Sequence, residues 1–133
     1  MPFIRLSVAG NRPSADQVIQ LERKTTQLMA DILRKRPEVT VVAVESSGAA
    51  QWSVGGKQLA EDQRLVQMEA FITAGTNSTE EKSDFISAAH QMLVTVLNVS
   101  MSPLYVVIIE VDGVDWGYGG KTQAARRLAA QPL

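Results

Sequence analysis

Apolar and polar positions recur along this chain in one order, twice. Residues 3–8, Phe3-Ile4-Arg5-Leu6-Ser7-Val8, read as a short strand ending at Ala9-Gly10, and residues 66–73 read as another ending at Ala74-Gly75. After each glycine comes a polar turn and a capping-box signature, Ser14-Ala15-Asp16-Gln17 in the first case and Ser78-Thr79-Glu80-Glu81 in the second. In such a box the serine accepts from an orphan backbone N–H while Gln or Glu reaches back, which marks a helix start. The helices that follow carry apolar stripes at helical spacing: Val18, Leu21, Leu28 and Ile32 with Thr25, then Phe85, Ile86, Ala89, Leu93, Val96 and Leu97. Their opposite faces carry Glu22, Arg23, Lys24 and Gln27, then Lys82, Ser83, Ser87 and Gln91, the pattern of solvated surfaces. Pro37 ends the first helix by pushing its predecessor out of the α region, and the second ends near Asn98, well before Pro103.

Two β-branched runs come next, residues 39–45 and 104–110, so continuously apolar that they predict strands buried on both faces. Each closes on a glutamate and leads to a glycine turn, Trp52-Ser53-Val54-Gly55-Gly56-Lys57 and Trp116-Gly117-Tyr118-Gly119-Gly120-Lys121, 64 residues apart. The chain is therefore a repeat of a β-α-β unit with a glycine hairpin, over 2–59 and 67–124 with a linker at 60–66. Each strand–helix–strand should pair in parallel through a right-handed crossover. A unit of roughly 60 residues buries too little surface alone. The predicted fold is α/β (α+β): one domain over 1–133, with a four-stranded mixed sheet and two helices on one face. The other face has nothing left in the chain to cover it, which predicts an oligomer.

Composition narrows the function classes. The 133 residues are 45% hydrophobic and 20% charged with a net charge of −1. Such a chain can bury a core and has no electrostatic reason to bind nucleic acid or an anionic membrane. There is no cysteine, so no thiolate chemistry, and the single histidine, His90, cannot build a multi-histidine metal site. No basic region followed by an apolar run marks a signal peptide, and no apolar run approaches the ~18 residues of a membrane span, so the expected location is cytoplasmic.

One residue carries candidate chemistry by itself. Pro2 directly follows the initiator methionine, and a small second residue favours removal of that methionine. The new terminus would be a secondary amine, both base and nucleophile. An α-amino group titrates near ~8 in a model peptide, and burial brings it lower, toward the range that suits proton transfer. With Met1 retained, Pro2 is an amide nitrogen without basicity, and that chemistry is closed.

The Met-Pro start, the β-α-β unit of about 60 residues and the aromatic-x-x-Gly-Gly hairpin, all doubled except the start, resemble the tautomerase superfamily typified by 4-oxalocrotonate tautomerase. The match covers nearly the whole chain twice, as in the family's long, fused branch. The resemblance implies a homotrimer of fused chains and a cofactor-free proton shuttle. In it the terminal proline takes a proton from an enol or 2-oxo carboxylic acid and returns it at another carbon, arginines hold the carboxylate, and an aromatic residue walls the pocket. Carried over by position, Pro2 is the catalytic proline, while the second unit has Gln67, which is internal and no amine. Trp116, or else Trp52, matches the aromatic wall. Arg12 approximates the arginine in the loop after the first strand, displaced by one, with Thr76 or Asn77 as its counterpart. Where the family often has an arginine at the start of the second long strand, this chain has Thr40 and Tyr105, and Tyr105 could donate a hydrogen bond. Arg5 and Arg64 are further carboxylate-binding candidates, and Arg126 and Arg127 fall on an amphipathic tail that could cover a neighbouring subunit. The departures at the arginine positions leave two alternatives open. One is a non-catalytic trimeric member. The other is a dehalogenase, hydratase or decarboxylase on the same scaffold, for which Glu69 is the one acid that could activate water.

Overall fold

The computed structural model describes residues 1–99 and 104–130. Pro103 lies outside them. In chain order the long elements are β1 (Phe3–Gly10), α1 (Ala15–Asp31) and β2 (Val41–Ser47), then the small hairpin β3 (Ser53–Val54) and β4 (Lys57–Gln58). The second unit repeats them as β5 (Arg64–Thr73), α2 (Thr79–Leu97), β6 (Leu104–Val111) and the hairpin β7 (Gly117–Tyr118) and β8 (Lys121–Thr122), followed by α3 (Gln123–Ala130). Both capping boxes form in full: Gln17 N donates to Ser14 Oγ and Glu81 N to Ser78 Oγ, each at 3.1 Å, with both reciprocal bonds at 2.9 Å. In each hairpin the two central glycines have positive φ (61° and 78°, 60° and 79°), which is why Gly-Gly recurs there.

The sheet order is β2-β1-β5-β6. β1 pairs with β2 and β5 with β6 in parallel, as the crossovers require, and the two units join through antiparallel β1 and β5, with Val8 opposite Val66. Both apolar runs are thus edge strands, not strands buried on both faces. One face of each is packed, through Val42, Val44, Leu104, Val106 and Ile108. The other is bare within one chain, leaving Val41 41%, Tyr105 62% and Val107 38% exposed.

The core lies between the sheet and the two helices: Ile4, Leu6, Val8, Val66, Met68 and Ile72 from β1 and β5 meet Leu21, Met29, Phe85, Leu93 and Leu97. The helix stripes are turned slightly from those predicted. Leu21, Thr25, Met29 and Leu33 are the fully buried row of the first, with Leu28 and Ile32 at its flank, and Ile86 is 41% exposed on the second. Each unit grips the helix end of the other. Asn77 Nδ2 donates to the Leu33 carbonyl at 2.9 Å, and Gln17 Nε2 donates to Val96 at 3.1 Å. No described helix is long and apolar enough to cross a membrane.

Phe85 has no exposed surface and joins both helices to the sheet. Phe85→Ala should lower unfolding free energy by about 3–5 kcal/mol. Urea titration checks this as a drop in midpoint at unchanged slope.

Candidate active site

Because β1 and β5 run antiparallel, the start of β1 lies beside the end of β5. There Pro2 meets Thr73 and the following loop at Thr76. α1 returns antiparallel to β1, so its C-terminal corner, Arg34-Lys35-Arg36, arrives at the same end. The hairpin after β6 adds Tyr118, and α3 adds Gln123, Arg126 and Arg127. These residues line a cavity of about 460 Å³ with Met1 and Pro2 on its wall. Pro2 is buried, and its carbonyl accepts from Val41 N at 3.2 Å, which fixes the chain end to β2.

The cavity lining is strongly basic: Arg34, Lys35, Arg36, Arg126 and Arg127, with no carboxylate. Acids nearby are engaged in ion pairs. Glu81 pairs with Arg34 at 3.2 Å and Glu38 with Arg36 at 2.8 Å, while Glu110 is held by Lys82. The Lys82 hydrogen bond, with one from Gly75 N–H, keeps the Glu110 carboxyl below its ordinary value. Lys35, Arg126 and Arg127 make no ion pair among the described residues. Arg126 stacks with Cζ 3.7 Å from the Tyr118 ring centre and donates to the Tyr118 carbonyl at 2.9 Å, and its Nε is buried without a partner. The terminal amine in this setting is pushed below its ordinary value of 8.0, first by burial, then by the charges of Lys35, Arg126 and Arg36. Removing Met1 moves that amine onto Pro2, one residue further toward the strand. Such a cavity can hold a small anion beside an amine of lowered pKa.

The sequence candidates divide between the two ends of β1. Pro2 is at one end, with Trp116 just behind the cavity wall, its Nε1 donating to Thr73 Oγ1 at 3.2 Å. The aromatic side chain that lines the cavity is Tyr118 rather than Trp116. Arg12 follows the far end of β1, roughly 30 Å along the strand at ~3.3 Å per residue. Arg64 is paired there with Gly10. Its guanidinium is used on backbone, donating to Asn11 O at 2.7 Å and Leu97 O at 2.6 Å. Trp52 bonds Ser47 Oγ at 2.6 Å and packs on Ala9, Leu59 and Leu65, also at that end. Tyr105 stands beside Gln67, which faces Ser7. Arg5 lies on the bare sheet face, 3.4 Å from Glu45 and above Phe3, with Glu69 across from it. Within one chain, then, Arg12, Arg64, Arg5, Trp52 and Tyr105 are not brought to Pro2. His90 is exposed on α2, and the described residues hold no group of three or more His, Cys, Asp or Glu fit for a metal. Of the cations that do reach Pro2, Arg126 and Arg127 come from the amphipathic tail, which covers this chain's own cavity, and the others had one visible signal, three consecutive basic residues ahead of Pro37.

Fold and cavity together define a doubled β-α-β protein with its amino terminus in a basic cavity. The tautomerase enzyme family matches this pattern over residues 2–62 and again over 65–126, and the chain belongs to that family. Probable tautomerase K2 of Dickeya dadantii (strain 3937) is 34% identical over 61 residues, 46% of this chain and 91% of that protein. Among solved structures, Pt0534 inactivated by 2-oxo-3-pentynoate has a TM-score of 0.83 at 14% identity, covering 92% of this chain and 98% of that one. The W0 fused 4-OT wild-type symmetric trimer gives 0.81 at 22% identity, covering 92% and 98%. At these identities the structural likeness speaks for the fold.

Arg126 is one of the charges that depress the terminal amine, so Arg126→Gln should raise its pKa toward the ordinary α-amino value. Titration of the amine resonance of the protein lacking Met1 checks the direction; a downward move would contradict it.

Proposed function

We propose that this protein is a cofactor-independent tautomerase acting on a small enol or 2-oxo carboxylic acid, with the Pro2 amine as general base and acid. The observation that carries this reading is the terminal amine on the wall of a cavity lined by five cations and no carboxylate. Burial and neighbouring positive charge lower the pKa of the terminal amine, and removal of Met1 would put the Pro2 amine into that setting, as a general base requires. The same cations attract the substrate carboxylate and stabilise the negative charge that develops as the proton leaves. The prolinium then returns that proton at another carbon, so atoms and charge balance without a cofactor. The inactivated Pt0534 structure, formed with a 2-oxo acid, accords with this substrate class.

The assembly we propose is a homotrimer, on the strength of the fused 4-OT trimer and of the bare apolar positions Val41, Val107 and Ile109 on the sheet face away from the helices. Among the candidates from the sequence, Arg12, Arg5, Arg64, Trp52 and Tyr105 do not line the Pro2 cavity within one chain, and Trp116 supports its wall by holding Thr73. We place the protein in the cytoplasm, as one compact catalytic unit over 1–133.

Turnover requires the free amine. One residue added before Pro2, or retention of Met1, should abolish isomerisation of enol and 2-oxo acids, and Pro2→Ala should lower kcat/KM by about 10²- to 10⁴-fold. Intact mass establishes which terminus is present. Undiminished turnover in the blocked protein would end the proline mechanism. Incorporation of labelled water into product would assign hydration, with dehalogenation where halide is released, and release of CO2 would assign decarboxylation.

A further inference from the structure

The loop after β5, the second unit's counterpart of the loop that carries Arg12, is the one that lines the Pro2 cavity, and it holds no arginine. Thr76 stands there. Its hydroxyl accepts a hydrogen bond from Lys35 Nζ at 2.9 Å and itself donates to the Thr73 carbonyl at 2.6 Å. Lys35 reaches this position through an unusual helix ending. Past Asp31 the chain turns through Arg34 in the left-handed region (φ 59°), and Lys35 N–H bonds back to the Met29 carbonyl at 3.0 Å, closing the helix. A non-glycine residue there costs about 1–2 kcal/mol. The turn sends Arg34 and Arg36 to their carboxylates, Glu81 and Glu38, and leaves Lys35 between them with a hydroxyl instead of an acid. An ammonium has three donors. Thr76 takes one, and two remain for a ligand in the cavity that Pro2, Thr76 and Lys35 share.

We infer that Lys35, held by Thr76, is the residue that fixes the substrate carboxylate beside Pro2, and that anion binding at this site is therefore lost at alkaline pH. The inference rests on the proposed function for the word substrate, but the anion site stands on its own geometry. A guanidinium stays charged at any accessible pH, whereas a lysine can give up its proton. The groups facing Lys35 are Glu81 on α2 and Glu110 on β6, which favour its charge, and Arg127 and Arg126 on α3, Arg34, Arg36 and the terminal amine, which oppose it. Burial is the largest influence and lowers its pKa below the ordinary 10.5. Below the lowered value the ammonium binds the anion; above it the amine is neutral and binding weakens. Stability runs the other way. The unfolded chain keeps its proton up to the ordinary value while the folded chain gives it up earlier, so stability rises as pH passes from the lowered value toward the ordinary one. Burying this charge is a cost at neutral pH that binding recovers.

The test uses the full chain lacking Met1, with fumarate as a small anion that offers no enol. Calorimetric titration at neutral pH and at pH about 10 is compared for the wild type, Lys35→Met and Lys35→Arg. Expected are fumarate binding by the wild type that weakens at the higher pH, binding by Lys35→Arg that persists there, and a loss of tenfold or more in Lys35→Met at neutral pH. The thermal midpoint of Lys35→Met should be no lower than that of the wild type, which separates lost binding from lost folding. In turnover, Thr76→Val should raise KM with kcat largely kept. The inference is overturned if Lys35→Met binds fumarate like the wild type, if Lys35→Arg loses binding with pH as the wild type does, or if the wild type binds none. Lys35-dependent fumarate binding without turnover of any enol acid would instead remove the isomerase reading and leave the anion site.

Discussion

The antiparallel seam between β1 and β5 is the constraint on which the rest depends. A β-α-β unit brings its own helix end back to the start of its first strand, but the loop after that first strand lies at the other end. Laying a second unit antiparallel against the first places the second unit's loop and hairpin where the first unit begins. The cavity around Pro2 is therefore built from both halves: the corner after α1 from one, Thr73, Thr76 and Tyr118 from the other. Neither half contains it alone, and the seam that completes the core also completes the site.

What was legible in the sequence was what is local. Capping boxes, glycine hairpins and helix stops are decided by residues within a few positions of one another, and Ser14, Ser78, Gly55-Gly56 and Gly119-Gly120 do what their local chemistry dictates. The helix stripes came out a fraction of a turn off because burial is set by the sheet beneath, which favours the row through Met29 and Leu33 over that through Leu28 and Ile32. The apolar runs 39–45 and 104–110 gave strands but not their places, since an edge strand whose second face waits for a partner has the same composition as a central one. The site suffered most. Arg12 follows the first strand of Pro2's own unit and so belongs to the opposite end, whereas the loop that does face Pro2 is the other unit's, with Thr76. No spacing rule within one unit reveals that exchange.

Charge is arranged around Pro2 with a clear division. Of the five cations in the lining, Arg34 and Arg36 pair with Glu81 and Glu38, and no carboxylate joins the lining. Lys35, Arg126 and Arg127 stand beside the amine without an acidic partner among the described residues. Like charges in a part-buried space destabilise the empty protein, and they depress the amine in the same act. The two effects are one: the field that makes the empty site unfavourable also lowers the amine's pKa and attracts an anion. A carboxylate in the lining would have relieved the repulsion, raised the amine's pKa and competed with the ligand.

The opposite end shows what the doubled architecture becomes without an amine. There the chain enters β5 from a linker, and the buried position matching Pro2 in the strand alternation is Val66, an internal residue and no amine, while Gln67 lies on the other face opposite Ser7. Arg64 fills the role of a brace, spending its donors on the carbonyls of Asn11 and Leu97, with a longer one to Arg12 at 3.4 Å. Those carbonyls close the loop after β1 against the end of α2, whose cap Asn98 has φ 56°. Trp52 covers the hairpin on that side through Ala9 and Leu65. At the corresponding corner near Pro2 the loop residue Asn77 makes the grip, on Leu33, and Lys35 is left to bond the Thr76 hydroxyl. One structural need, holding a helix end to the neighbouring unit, is thus met by the Asn77 amide at one end and by Arg64 together with the Gln17 amide at the other. Where Asn77 does it, the basic side chains face the cavity; where Arg64 does it, its charge is consumed in the fold.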